Sequence, residues 1–334
     1  MALTLDDIAQ MSGVSRSTVS RVINGNPNVN EQTRRKVLDL IQTIGFQPNL
    51  AARGLAAGKT HVLGLVIPTG LTAIFSDPYF PLVIQGVAAA CNSLGYSVML
   101  WLADPEYERK TISQVLHNGL VDGVIVSSML MNDPLIERLL ESQRAFITIG
   151  RHPTNDQVNF VDVDNRLGAY QGVSFILHTG RRRVAMINGP RNTIACMDRY
   201  QGYQEALRER GLEVLPEMVA EGAFSDISGY LAMKQLLPYR PDAVFVASDA
   251  MAFAAMRAIQ EAGLAIPEDI AVVGFDDIPT AATSKPPLTT VRQPIQKTGS
   301  VAAEMLIERI ERPDARPCRI ILPTELVIRE SCGQ

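Results

Sequence analysis

Five hydrogen-bonding residues near the start of the chain, Arg16, Ser17, Ser20, Arg21 and Asn24, are spaced so that they share one face of an α-helix. Guanidinium groups can fork onto guanine in the major groove of DNA, and small hydroxyl and amide groups can bond to bases or phosphates. A solvated helix face of no further function has the same polar character. The elements that surround the helix decide between the two interpretations.

A short helix and a tight turn are predicted immediately before this face. Thr4 and the acid three residues after it have the spacing of a capping box, which begins a helix over about 5–11. Gly13 suits the left-handed conformation that ends many helices. Ser15 can cap a second helix that runs to about Asn24. The candidate face therefore lies on the second helix of a pair joined by a glycine turn.

Apolar residues at helical spacing supply a core for this unit. Val19, Val22 and Ile23 point away from the polar face. Asn30 caps a third helix that ends at Gly45. The apolar stripe of that helix consists of Val37, Leu40, Ile41 and Ile44. Three short helices in this order predict a helix-turn-helix unit that presents its second helix to the major groove.

The stretch "LDDIAQMSGVSRSTVSRVINGNPNVNEQTRRKV" resembles the headpiece of the lactose/galactose-repressor family of bacterial transcription regulators. The resemblance implies that Arg16, Ser17 and Arg21 touch base edges. It further implies contacts that mainly position phosphates, from Ser15, Ser20, Asn24, Thr33 and Arg34. Thr4 and Asn49 are expected to be additional DNA contacts.

The segment "FQPNLAARGLAAGKTHVLGLV" follows the headpiece. Its Ala-rich run over 49–56 can form about two turns of helix, which are marginal alone. "PNLAARGL" is similar to the family's hinge helix, which implies that Leu55 wedges into the minor groove and that Ala51 and Ala52 pack closely. A plain interdomain linker is the alternative. The "GKT" does not make a phosphate loop, because it precedes a strand and the spacing of its glycines is one residue short.

From residue 61 the chain alternates apolar strands with amphipathic helices. The strand candidates include "VLGLVI", "YSVMLWL", "DGVIVSS", "AFITIG", "VAMING", "AVFVAS" and "IAVVGF". Continuous apolar runs separated by helices predict parallel sheets buried on both faces, and hence a doubly wound α/β architecture.

The resemblance to the repressor family covers essentially the whole chain. It implies an all-α helix-turn-helix headpiece over 1–46, a hinge over 47–60 and a core over 61–334 shaped like a periplasmic binding protein. The core would consist of two doubly wound subdomains, 61–163 with 293–322 and 164–292 with 323–334. A dimer is expected, because the chain lacks the heptad tail of the family's tetramers. Ligand binding between the subdomains would reorient them and alter the affinity for DNA.

Several residues follow strands directly, where ligands of α/β folds bind. Asp77, Tyr79 and Phe80 lie in "SDPYF" after the first strand, and the two aromatic rings could face a sugar or a base. Family members anchor ligand oxygens with an arginine in the place of Arg199. The remaining candidates, each just past the end of a strand, are Arg151, Phe224, Asp249 and Asp276. Carboxylates that accept hydrogen bonds from hydroxyls, beside a guanidinium that donates them, suit a polyhydroxyl compound.

The effector class is therefore expected to be a carbohydrate. Purine-sensing relatives carry an Arg and a Thr where this chain has Thr193 and Ala195. A nucleoside or nucleobase remains the alternative, because the aromatic candidates would still accept a planar ring. A solute-binding receptor of the same core fold is disfavoured, because this chain begins with a DNA-binding head instead of a signal peptide.

The composition limits the remaining function classes. The net charge of −4 combines +3 over residues 1–60 with −7 over the rest, so only the head is suited to a polyanion. No run of about 18 apolar residues predicts a membrane span, and the acidic N-terminus predicts a cytoplasmic protein. The four histidines form no metal-spaced cluster, and neither a nucleophile elbow nor a dinucleotide fingerprint occurs. We expect no metal, no cofactor and no catalysis.

Overall fold

The computed structural model describes residues 3–23, 25–46, 59–67, 77–101, 119–127, 130–131, 133–152, 154–155, 157–314 and 316–333. The chain forms two compact units, Met1–Thr60 and His61–Gln334.

The described part of the first unit contains helices α1 (Leu5–Ser12), α2 (Arg16–Ile23) and α3 (Glu31–Ile44). The predicted capping box is confirmed: the Thr4 hydroxyl accepts from the amide of Asp7 at 3.3 Å, and the Asp7 carboxylate accepts from the amide of Thr4 at 2.7 Å. Gly13 ends α1 at a φ of 67°. The hydroxyl of Ser15 accepts from the Thr18 amide at 3.2 Å, and Asn30 caps α3.

A small apolar core joins the three helices. Ile8, Val19, Val22 and Val37 are buried. The other predicted apolar residues of the unit, Ile23, Leu40, Ile41 and Ile44, pack around them and are half-buried. The side of α2 opposite to this core is thereby left to solvent, which confirms the predicted helix-turn-helix arrangement.

The second unit is an α/β body. Its strands are β1 (Val62–Val66), β2 (Ser97–Trp101), β3 (Gly123–Ser127), β4 (Ala145–Ile149), β5 (Phe160–Val163), β6 (Val184–Asn188), β7 (Val219–Glu221), β8 (Ala243–Val246), β9 (Ala271–Asp276), β10 (Thr289–Arg292), β11 (Arg319–Leu322) and β12 (Glu325–Val327). Its helices among the described residues are α4 (Tyr79–Ser93), α5 (Pro134–Glu141), α6 (Asn165–His178), α7 (Ile194–Glu209), α8 (Asp226–Leu236), α9 (Asp249–Glu261) and α10 (Ile295–Glu311).

The strands form two six-stranded sheets. The first has the order β11-β5-β4-β3-β1-β2 and is parallel throughout, and the second has the order β12-β10-β9-β8-β6-β7. Only β12 runs antiparallel to its neighbour in the second sheet. Buried aliphatic residues cover both faces of each sheet. The predicted architecture of two doubly wound α/β subdomains is therefore confirmed.

The chain crosses between the two sheets three times among the described residues. It crosses from β5 to α6, from β10 to α10, and from β11 to β12. The candidate ligand-binding residues that follow strands are thus distributed over both subdomains.

Helices α4 and α10 pack with their backbones in contact. A Cβ atom on Gly86 would lie 1.9 Å from the carbonyl oxygen of Gln296, and one on Gly299 would lie 2.4 Å from that of Val83. Backbone atoms cannot swing aside as a flexible side chain can, so each glycine is needed where the helices meet.

We predict that Gly86→Ala lowers the free energy of unfolding by about 1–3 kcal/mol, because the added methyl group forces the two helices apart. Urea denaturation measures the effect. Gly64→Ala is the control, since a Cβ atom there meets nothing closer than 3.6 Å. Equal losses in the two variants would contradict this account of the helix contact.

Candidate ligand-binding site and DNA-binding surface

A buried guanidinium, that of Arg199 on α7, lies at the centre of the candidate ligand site. Arg199 is 5 % exposed. Its Nε donates to Oδ1 of Asn165 at 2.9 Å, and one terminal nitrogen donates to the carbonyl of Ala247. The guanidinium carbon lies 3.7 Å from the centre of the Phe275 ring. These partners are all neutral, and no carboxylate of the described residues forms an ion pair with Arg199 within 4.0 Å. Its positive charge is held in place without being neutralised by a direct partner.

Buried carboxyl groups from both subdomains surround this charge. Asp77 precedes α4 and Asp162 lies in β5, whereas Asp276 ends β9 of the second sheet. All three are less than 9 % exposed. Burial raises the pKa of each carboxyl group, and the charge of Arg199 acts in the opposite direction on all three. For Asp276 burial raises the pKa to about 7.

Asp276 and Asp249 have different surroundings. Oδ1 of Asp276 accepts from the side-chain amide of Gln293 at 2.5 Å. Asp249 is wholly buried, and its two oxygens accept from the Thr290 hydroxyl at 2.6 Å and the Ile278 amide at 3.0 Å. Burial and the nearby carboxyl group of Asp276 raise the pKa of Asp249. Both carboxyl oxygens of Asp249 are thus already bonded within the protein, and its direct contact with an effector stays a prediction.

Of the predicted aromatic residues, Tyr79 is the one that the electrostatics place beside the charged cluster. The rings of Tyr79 and Phe80 meet edge to face, with centroids 5.4 Å apart. Burial, followed by the nearby carboxyl groups of Asp276 and Asp162, raises the pKa of the Tyr79 hydroxyl, so this side chain reaches the cluster. Phe224 packs its ring against Gly189, where a Cβ atom would lie 2.4 Å from the ring.

Arg151 is held by a carboxylate, unlike Arg199. Its Nε and one terminal nitrogen donate to the two oxygens of Asp198 at 3.1 and 2.6 Å, and its backbone amide donates to Asp162 at 2.9 Å. The hydrogen bond that Arg151 donates to Asp198 raises the pKa of Arg151. A cavity of about 530 Å³ lies beside this pair, a volume in the range of small-molecule sites. Its lining includes Arg151, Asp162, Asn165, Tyr170, Asp198 and Glu205.

Four members of the cluster are missing from the sequence-based set. Asp162 lies within the four-residue strand β5, where an acid interrupts the apolar run and hides the strand. The three polar residues in "FVDVDN" are a usable signal for a site at this position. Asp164 caps α6, and the next residue, Asn165, accepts from Arg199. Asp198 and Gln293 join the site through contacts between elements far apart in sequence, for which no local signal exists.

The predicted DNA-contacting face of α2 is exposed in the first unit. Arg16, Ser17 and Arg21 are all exposed, and Ser20 is half-buried. The Arg16 Nε lies 3.7 Å from the carboxylate of Asp6 on α1. This surface therefore presents two guanidinium groups beside small hydroxyl groups, as a base-reading helix requires.

The remaining headpiece predictions have mixed surroundings. The Thr4 hydroxyl is used in its own capping box, and that of Ser15 lies 2.8 Å from the Ser17 hydroxyl. Thr33 is half-buried, and the Arg34 guanidinium donates to the carbonyl of Asn26 at 2.6 Å. Their phosphate contacts stay predictions. Asn24, Asn49, Ala52 and Leu55 lie outside the described residues.

Comparison with known proteins assigns both units. Residues 4–49 match the profile of bacterial regulatory proteins of the lacI family, and residues 173–332 match a periplasmic binding protein-like domain. The chain is 38 % identical to the HTH-type transcriptional regulator CelR of Thermobifida fusca, over 98 % of both chains. The chain belongs to the LacI family. This LacI-family protein is a DNA-binding transcriptional regulator.

Two solved structures extend the LacI-family assignment to the fold. A complex of the transcriptional regulator CelR with cellobiose matches with a TM-score of 0.79 at 37 % identity, covering 98 % of this chain and 99 % of the other. The lac repressor dimer bound to operator and the anti-inducer ONPF matches with a TM-score of 0.88 at 26 % identity, covering 100 % of both chains. No helix among the described residues of the LacI-family protein is long and apolar enough to cross a membrane.

The buried carboxyl group of Asp276 makes the stability of this LacI-family protein depend on pH. Its pKa is about 7 in the folded chain and near 3.8 in the unfolded chain, so the folded state retains the proton over a wider range. The resulting stabilisation is present below about pH 4 and is lost as the pH rises through 7.

Between pH 5 and pH 8 the free energy of unfolding should fall in the wild type. We predict that this fall is smaller in Asp276→Asn, by on the order of 2 kcal/mol. Denaturant unfolding at several pH values measures this difference. Glu213→Gln, which removes an exposed acid from the same subdomain, should retain the wild-type pH dependence. A wild-type slope in Asp276→Asn would contradict the raised pKa.

Proposed function

We propose that this regulator binds a pseudo-palindromic operator as a dimer, acts as a repressor in the cytoplasm, and is controlled by an uncharged carbohydrate. The observation that carries the DNA-binding part is the exposed Arg16, Ser17 and Arg21 face of α2, on a helix-turn-helix unit of the LacI family. The relatives that match are transcriptional regulators, and we infer that the chain has no catalytic function.

The charges of the ligand site support an uncharged effector. Asp77, Asp162 and Asp276 face one guanidinium, Arg199, whose field is shared among all three. The second guanidinium, Arg151, is already paired with Asp198. Sugar hydroxyls can donate to carboxylates and accept from Arg199, whereas a phosphate group would be brought against buried acids. The complex of CelR with cellobiose makes that disaccharide the first probe.

A dimer is supported by an apolar helix face in the second subdomain. Ile227 and Leu231, one turn apart on α8, are 71 % and 59 % exposed. Arg257 and Asp226 form an ion pair of 2.7 Å beside them. An apolar pair with a charged rim is typical of a protein interface, and the related lac repressor is a dimer on its operator. Two heads related by a two-fold axis match a pseudo-palindromic site.

The carbohydrate would act on DNA binding through the two subdomains. Because Arg199 and Asp276 belong to one subdomain and Asp77 and Asp162 to the other, a bound sugar would favour one relative orientation of the two. An orientation that changes the spacing of the two heads in a dimer would change the affinity for the operator.

We predict that Arg16→Ala weakens binding at one base position by about 1–3 kcal/mol and relaxes the preference for that base, because a guanidinium fork to the base is lost. Fluorescence anisotropy with operator variants, selected first from a random DNA library, measures this change. Arg35→Ala, at an exposed position on α3, is the control and should leave base preference unchanged. A uniform loss over all sequences in Arg16→Ala would show a phosphate contact instead.

We predict that cellobiose binds the full chain at least about tenfold more tightly than its 6-phosphate ester, because buried carboxyl groups repel the phosphate. Titration calorimetry measures both affinities, and operator binding with and without sugar measures the response. The affinities of adenine and guanosine are measured in the same way. Tighter binding of the phosphate ester would overturn the uncharged class, and binding of a nucleobase alone would overturn the carbohydrate proposal.

A further inference from the structure

Two consecutive residues of the second subdomain, Asp276 and Asp277, adopt positive φ angles of 126° and 56°. Residues with a side chain rarely adopt these conformations, so surrounding contacts must hold them. The first of the two is the Asp276 of the ligand site. The second lies outside the cluster and serves no role in the function described so far.

The carboxylate of Asp277 is clamped between two arginines. Its two oxygens accept from Nε of Arg292 at 2.7 Å and from a terminal nitrogen of Arg329 at 2.6 Å. The side chain of Asp277 is only 7 % exposed. The Arg329 side chain also donates to the carbonyl of Leu288 at 2.7 Å, so it is fixed to the chain just before β10. The geometry of both ion pairs therefore fixes the backbone at Asp277.

The same contacts reach the ligand site through Gln293. Arg292 and Gln293 are consecutive residues at the end of β10, where the chain crosses to α10. Arg292 holds Asp277, and Gln293 donates from its side chain to Asp276 at 2.5 Å and from its backbone amide to the Asp276 carbonyl at 3.3 Å. Two neighbouring acids are thus bound by two neighbouring residues of one crossing segment.

We propose that Asp277 is a positioning residue of the effector site, which holds Asp276 in its left-handed backbone conformation and ties it to the crossing segment. This proposal rests on the proposed function, since it assigns Asp276 to effector binding. Asp277 itself touches no effector. Its removal should release the Asp276 carboxylate and leave the helix-turn-helix unit unchanged.

The first experiment compares Asp277→Asn with Glu325→Gln in the full chain. Glu325 is the other partner of Arg292, at 3.0 Å, and is 70 % exposed, so its loss removes a charge without releasing Asp277. We expect the dissociation constant for cellobiose to rise at least about tenfold in Asp277→Asn and less than about twofold in the control. Operator affinity without sugar should be the same in both, and Asp277→Glu should recover part of the cellobiose affinity.

Loss of operator affinity in parallel with sugar affinity would overturn the proposal, because it would show a general structural defect. If Asp277→Asn does not fold, Arg292→Gln is the second variant. It removes one of the two arginine contacts of Asp277, at a side chain that is 47 % exposed. We expect that variant to weaken cellobiose binding about three- to tenfold, and an unchanged affinity would overturn the proposal.

A ligand-independent measurement separates this inference from the proposed function. The Ile278 amide donates to Asp249 directly after the clamped pair, so hydrogen exchange at this amide reports whether the segment is held. We expect faster exchange in Asp277→Asn than in Glu325→Gln. Equal exchange would overturn the positioning role, whereas failure of the wild type to bind cellobiose would overturn only the effector class.

Discussion

The candidate ligand site depends on one buried positive charge, because Arg199 cannot shed its proton and cannot be left without partners inside the protein. Asn165, Ala247 and Phe275 supply a carbonyl oxygen, a second carbonyl oxygen and an aromatic face to its guanidinium. These partners come from the start of α6 and from the ends of β8 and β9. Satisfying a single charge therefore fixes where three elements of the second subdomain meet.

The neutral character of those partners leaves the positive charge of Arg199 without a bonded counter-ion among the described residues. A carboxylate bonded to Arg199 would cancel its charge, whereas the surrounding acids lie close enough only to share its field. Burial raises the pKa of each of these acids, that of Asp276 to about 7. Hydroxyl groups that donate to a carboxylate favour its ionised form. A polyol in this site would thus lower the pKa of the acids, and the positive charge of Arg199 would stabilise their ionised form.

Local chemistry made the larger part of this structure predictable. The caps at Thr4, Ser15 and Asn30 depend on residues within three positions of each other, and the buried parallel strands depend on continuous apolar runs. Four-residue strands such as β5, with an acid in the middle, give no such signal. Positions after strands likewise predicted that Arg199 and Asp276 lie together, as the structure shows.

Side-chain contacts between residues far apart in sequence were not predictable in the same way. The two acids Asp249 and Asp276 follow strands equally well, yet one is wholly buried against Thr290 and the other faces the charged cluster. Arg151 and Arg199 are equivalent in the sequence, since both were predicted to bind the effector from positions after strands. They differ in the structure, because Arg151 is paired with Asp198. The reason is that such contacts join residues that are far apart in sequence. Asn165 opens the first crossing and Gln293 the second, so the residues that hold Arg199 and Asp276 also belong to the segments that connect the two subdomains.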